Sequence, residues 1–234
     1  MPVDGKALMT ALSRFAQLLP TEYDVATALD GLVQSVTDVL GLTGAGVTME
    51  SQGRLRFMVA HNERLATIER NQEITQEGPC VQAHATGNVV AVNSLRTHVE
   101  RWPRYTAVAL RQRIEAVAAI PMHLSDSKIG TIELYSEPAR TWSAPDLEVA
   151  RVLADMATGY VINADKRHQQ QQLTEQLQQA LRSRIVIEQA KGIIANDRGI
   201  TTDAAFEVIR RYSRDHQARL YAVAHAVVDA GLRL

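Results

Sequence analysis

The sequence contains a single cysteine, Cys80. No disulfide framework can therefore hold the chain together, and the composition suits a reducing cytoplasm. No run approaches the roughly 18 consecutive apolar residues that a membrane helix needs. The start, Met1-Pro2-Val3-Asp4, has neither the basic residues nor the apolar stretch of a secretory signal. A cytoplasmic location, with no membrane insertion, is the expectation. Catalytic motifs are missing as well. His61, His84, His98 and His123 show no ligand spacing such as His-x-x-x-His, so no metal site is expected. There is no Gly-rich phosphate loop and no Ser–His–Asp order. The chain reads as a regulator or binding protein, not an enzyme.

What is present is a two-part chain. Its 234 residues suffice for one domain of ordinary size and a smaller one. The net charge is −1, but it is unevenly placed. Residues 165–234 hold 11 Lys/Arg against 8 Asp/Glu, whereas residues 1–164 hold 14 against 18. A basic C-terminal part after an acidic N-terminal one points to a nucleic-acid surface at the C-terminal end.

The stretch from Arg182 to Val228 has three apolar stripes of helical period separated by two breaks. Ile187, Ala190 and Ile194 form the first, and Gly199 supplies the left-handed residue that stops it. Thr201 or Thr202 caps the second, in which Ala205, Val208, Ile209 and Tyr212 share a face. Leu220, Val223, Ala224 and Val227 make the third. The outer faces carry Arg184, Glu188 and Lys191 on the first helix, with Arg198 at its end. Glu207, Arg210, Arg211 and Arg214 lie on the second, and Arg219 opens the third. Such clustering suits a phosphate-binding surface. It also suits a solvated face with internal ion pairs such as Glu207–Arg211. Gln189 and Tyr212 are the candidates for contact with unpaired bases, if exposed.

Between the halves, Ser143-Ala144-Pro145-Asp146 starts a long helical pattern. Leu147, Ala150, Leu153, Ala157, Tyr160, Val161 and Ala164 recur at three- and four-residue steps, and Leu173, Leu177, Leu181 and Ile185 at four. One uninterrupted helix of roughly 45 residues suggests a coiled coil and a homodimer. The polar octet Asp165–Gln172 is either a flexible joint or a solvated linker.

In the N-terminal half, helical spacing covers Lys6–Leu19, ended by Pro20, and continues from a Thr21 cap to Leu40, stopped by Gly41. Apolar runs at Ala45–Glu50 and Leu55–Ala60 flank a Gly53 turn as a hairpin. Glu63–Arg70 is expected as an exposed helix, Val89–Val92 as a strand and Pro103–Gln112 as a helix. Val117–Leu124 and Lys128–Ser136 form a second hairpin. Strands returning in pairs between helices give an α+β pattern with an antiparallel sheet. Cys80 follows Gly78-Pro79 at a predicted helix start. There the helix dipole could favour thiolate and a redox-sensing role, or the residue could be plain packing beside a pocket. Trp102 and Tyr105 are candidate pocket walls.

Two resemblances join these readings. The motifs Ile187-Glu188-Gln189-Ala190-Lys191-Gly192, Gly199-Ile200-Thr201, Ala205-Phe206-x-x-Ile209-Arg210 and Arg219-Leu220-x-x-Val223-Ala224 resemble an ANTAR domain. The resemblance implies a three-helix bundle that follows a coiled coil and binds paired hairpins in nascent messenger RNA, preventing a terminator from forming. The motifs Glu77-Gly78-Pro79-Cys80, Gly87-x-Val89-Val90, Arg101-Trp102-Pro103-Arg104, Ile120-Pro121-Met122 and Ile129-Gly130-x-Ile132-x-Leu134-Tyr135 resemble a GAF domain over residues 5–160. That resemblance implies a sensor: a central antiparallel sheet flanked by helices, with a small-molecule ligand between one sheet face and the inserted helices. The expected organisation is a GAF sensor at 1–160, a linker helix or coiled coil at 143–185 and an ANTAR domain at 173–234. The expected RNA-binding residues are Arg184, Gln189, Lys191, Arg198, Arg210, Arg211, Arg214 and Arg219. The sensor-pocket candidates are Cys80, Trp102 and Tyr105. The other readings are a DNA-binding factor with a C-terminal helix-turn-helix and a phosphodiesterase-type enzyme under GAF control. The acidic, small turn Thr202-Asp203-Ala204-Ala205 does not suit a DNA recognition helix, and the sequence has no metal-ligand cluster for the enzyme.

Overall fold

The computed structural model describes residues 4–18, 24–124 and 127–234. The chain divides into two compact units, Met1–Asp165 and Lys166–Leu234.

In the first unit, helices α1 (Gly5–Leu18) and α2 (Val25–Leu40) precede the hairpin β1 (Gly44–Ser51) and β2 (Arg54–Ala60). Pro20 and Thr21, expected to end one helix and cap the next, lie outside the described residues. The α2 cap is Asp24, whose carboxylate accepts from the Thr27 amide at 2.7 Å. Gly41, at φ 57°, ends α2 in the left-handed conformation. Three helices follow the hairpin with one short strand among them: α3 (Glu63–Thr75), α4 (Pro79–Thr86), β3 (Val90–Val92) and α5 (Pro103–Arg111). The hairpin β4 (Ala116–Leu124) and β5 (Ser127–Ser136) completes an antiparallel sheet of order β2-β1-β5-β4-β3.

The two-residue side-chain period divides this sheet's core in two. On one face Ala45, Val47, Ala118, Ile120, Ile132 and Leu134 pack with α1, α2 and the start of the long helix α6 (Ala144–Arg198). On the other, Val117, Ala119 and Tyr135 pack with α3, α4 and α5 through Leu65, Ile68, Cys80, Tyr105 and Ala109. Helix α3 departs from its sequence expectation. It runs five residues further, and Leu65, Ala66, Ile68, Glu69 and Gln72 are buried. Its charged composition reads as a solvated helix, but the sheet covers it. Strands β1 and β5 approach closely at Gly130, where a Cβ would sit 2.2 Å from the Thr48 carbonyl oxygen.

In the second unit, α6 ends at Arg198, and Gly199 adopts φ 63°. Helices α7 (Thr202–Asp215) and α8 (Leu220–Asp229) follow. Thr201 is the α7 cap, its hydroxyl accepting from the Ala204 amide at 3.2 Å. The three sequence stripes meet in one core of Ala190, Ile194, Ala205, Ile209, Val223, Ala224 and Val227. The polar octet does not interrupt α6, which is 55 residues long.

Candidate functional site

Two places concentrate polar chemistry. One is hidden inside the sheet unit. Thr131, Glu133 and Tyr135 alternate along one face of β5, which the helices cover, so all three are buried. Glu133 meets Glu69 of α3, also buried. The Tyr135 hydroxyl lies 2.8 Å from Glu69 Oε1 and 2.9 Å from Glu133 Oε2. Glu133 also accepts from Tyr105 Oη at 2.6 Å, Gln72 Nε2 at 2.9 Å and Cys80 Sγ at 3.4 Å. The amide oxygen of Gln72, Oε1, accepts from the Cys80 amide N–H at 3.0 Å, locking α4's first turn to α3. Two glycines make room. A Cβ at Gly46 would stand 2.1 Å from Glu69 Oε1, and one at Gly78, which has φ 146°, 2.2 Å from Gln72 Oε1.

Burial pushes the Glu69 carboxyl well above the usual carboxylate range, and the charge of Glu133 pushes it further. Burial also raises Glu133, against the lowering effect of its hydrogen bonds from Tyr105, Gln72, Tyr135 and Cys80. A hydrogen count agrees. The Tyr135 hydroxyl has one proton for two carboxyl neighbours. With Glu133 accepting that proton among its other donors, Glu69 is the partner that can be protonated and donate to Tyr135.

Of the three sensor-pocket candidates, Cys80 and Tyr105 belong to this cluster. Trp102 stands beside it, edge-on to Tyr105 at 6.4 Å between ring centroids. Cys80 does not have the low-pKa environment that its helix start suggests. The thiol is buried, and burial together with the Glu133 and Glu69 charges holds it well above its usual range. Desolvation and two carboxylates outweigh the partial charge of one short helix end.

The second place is the outside of the three-helix unit. Arg184, Arg211, Arg214 and Arg219 are exposed, and none has an ion pair among the described residues. Gln189 is exposed as well. The other cations are engaged. Arg210 pairs with Glu207 at 2.7 Å, which replaces the expected Glu207–Arg211 pair. Arg198 donates to the Leu234 carbonyl. Lys191 is only 14% exposed, pairs with Glu188 at 2.9 Å and lies 5.6 Å from the Phe206 ring centre. It is thus tucked against α7, not turned outward as its spacing from Arg184 suggests. Tyr212 is half-buried and stacks on His216 at 3.9 Å.

The sheet unit, with helices on both faces, coincides with a family match: the GAF domain model covers residues 24–161, more than half of the chain. The chain belongs to the GAF domain family. The ANTAR domain model matches residues 175–228, so the GAF–ANTAR architecture accounts for both units. No curated protein matches the chain. Solved structures share the GAF fold. The GAF domain of a phosphoenolpyruvate-protein phosphotransferase from Coxiella burnetii is 10% identical, with a TM-score of 0.56 over 70% of this chain and 97% of that one. The corresponding Acinetobacter domain is 12% identical, with a TM-score of 0.53 over 70% and 97%. Free methionine-R-sulfoxide reductase from Neisseria meningitidis, solved with its substrate, is 15% identical, with a TM-score of 0.55 over 71% and 96%. At these identities the likeness concerns the fold alone.

The acidic cluster of the GAF half escaped the sequence reading. In the sequence Glu69 reads as surface on a charged helix, and Glu133 is the open position of the Ile132-x-Leu134 alternation. The available signal was that alternation itself: a glutamate between two buried positions of a strand covered on both faces has no solvent to point to.

Proposed function

We propose that this protein is a signal-responsive, RNA-binding transcription antitermination regulator. In this reading the GAF half supplies the input and the ANTAR half binds paired hairpins in nascent messenger RNA. The observation that carries it is the coincidence of the ANTAR match with four exposed arginines. Arg184, Arg211, Arg214 and Arg219 are exposed and form no ion pair among the described residues, so their charge is available to phosphates. Gln189 is the exposed side chain suited to an unpaired base. Lys191 and Arg210, held by Glu188 and Glu207, serve packing in this scheme.

Homodimerisation is part of the proposal. Leu173, Leu177, Leu181 and Ile185 are exposed at 56%, 63%, 60% and 49%, an apolar seam along one helix. A paired helix would cover that seam and present two bundles to two hairpins, with the gain of linked binding. A signal in the GAF half would then act by shifting the population of pairing states. The reading implies no catalytic role and a cytoplasmic location. No helix among the described residues is long and apolar enough to cross a membrane.

The test is a filter-binding titration against a two-hairpin RNA and a duplex DNA of equal length at several salt concentrations. RNA is expected to bind more tightly. Arg211→Ala is expected to reduce the log–log salt slope by about 0.7 to 0.9 for the lost phosphate contact. Tighter binding to duplex DNA would favour a helix-turn-helix factor and overturn the proposal, and so would an Arg211→Ala variant that binds RNA as the parent does.

A further inference from the structure

We propose that Glu69, Cys80 and Glu133 bind one divalent transition-metal ion, of the zinc or ferrous class, inside the GAF core. The three residues come from α3, the first turn of α4 and the middle of β5. One donor atom from each lies within 4.8 Å of the others, and all three residues are buried. Three further observations point to a cation.

The first is an unpartnered oxygen. Glu69 Oε2 is buried and has no hydrogen-bond partner among the described residues. A buried acceptor without a donor costs about 1–3 kcal/mol, and more when charged, unless a cation satisfies it. The second is charge. Glu69 and Glu133 stand together among Gln72, Tyr105, Tyr135 and Cys80, and among the described residues neither forms an ion pair with a basic side chain. The third is spacing. A zinc-like ion binds sulfur at about 2.3 Å and carboxylate oxygen at about 2.0–2.2 Å, so a tetrahedral centre holds the two about 3.6 Å apart. Cys80 Sγ and Glu133 Oε2 are 3.4 Å apart.

The donor set selects the class of metal. A sulfur ligand favours zinc or ferrous ions over magnesium or calcium, which prefer oxygen alone. Tyr105, Tyr135 and Gln72 hold the carboxylates from outside, as second-layer hydrogen bonds around a metal usually do. Binding conserves charge: the ion displaces the thiol proton of Cys80 and the carboxyl proton of Glu69, both released to buffer. Glu133 binds through its carboxylate. The site does not depend on the RNA-binding proposal.

The experiment uses the full chain, stripped with a chelator, dialysed and titrated with cobalt(II), then with zinc(II). Cys80 is the only cysteine, so a sulfur-to-cobalt charge-transfer band reports this site alone. The band is expected to saturate at one cobalt per chain, to vanish on zinc addition, and to be lost in Cys80→Ser. Glu69→Gln is expected to weaken binding by more than the roughly 10–100-fold that losing only an outer partner costs, and Tyr135→Phe by about that lesser amount. Should a variant fail to fold, the parent chain decides: zinc must raise its Tm in proportion to occupancy. A folded parent with no charge-transfer band and no zinc-dependent Tm would overturn the proposal. A folded Glu69→Gln chain that binds cobalt like the parent would do the same.

Discussion

The two halves of this protein treat charge in opposite ways. The GAF core encloses two carboxylates, a thiol and two phenols among apolar side chains. The ANTAR bundle buries aliphatic side chains and Ser213, whose hydroxyl donates to the Ala218 carbonyl at 2.8 Å, and carries its arginines outside. Size explains the difference. A five-stranded sheet covered on both faces buries enough apolar surface to tolerate a polar cluster, provided that its groups hydrogen-bond each other. A bundle of three short helix segments has no such reserve, and a buried charge there has no partner. The proposed RNA binding would require the opposite arrangement in any case, because phosphate recognition needs cations in solvent.

Moving a charge into the bundle breaks the contrast most severely. Ala190→Asp places a carboxylate in a fully buried position within a core whose buried members are all aliphatic. An uncompensated buried charge costs about 3–5 kcal/mol, enough to unfold the bundle. Circular dichroism should show the lost helicity, while the GAF half keeps its own thermal transition. Next in size is Tyr135→Phe, which removes the hydroxyl between Glu69 and Glu133. It should cost about 1–3 kcal/mol in denaturant unfolding of the GAF half. If it costs nothing, the cluster is not cooperative. Thr201→Ala removes the α7 cap and should cost about 1 kcal/mol in the bundle's transition. Arg211→Ala, on the exposed face, should shift stability by less than about 0.5 kcal/mol. A larger loss on chemical denaturation would mean that the arginine is structural and that the outer face is not free for RNA.

The legible parts of the chain were those that a local pattern encodes. Both hairpins, the Gly41 and Gly199 stops, the Pro79 and Pro103 helix starts and the three ANTAR stripes all follow from spacings of two, three or four residues. Boundaries moved by a residue or so, as with β1, which begins at Gly44, and α5, which ends at Arg111. Helix α3 was the substantial departure. Its polar residues do not separate onto one face, so periodicity could not show that Glu69 and Gln72 point inward. Lys191 is the counterpart in the bundle: its position in α6 was legible, but its contact with Phe206 of α7 depends on how the helices pack.

Sequence alone determined the division into a GAF sheet unit and an ANTAR bundle, the antiparallel hairpins and the apolar stripe of α6. Each of these rests on backbone period, turn chemistry or motif order within a single segment. Only the tertiary structure decided that Glu69, Cys80 and Glu133 meet, and which arginines lack an ion pair among the described residues. Glu69 and Glu133 are 64 positions apart in the chain, and no local spacing links them. They are neighbours because α3 lies over β2 and β1, and Gly46 of β1, the register partner of Glu133 on β5, leaves room for the Glu69 carboxylate. The same burial that encloses them shifts their proton affinity, since a charge loses its water only when the whole fold closes over it.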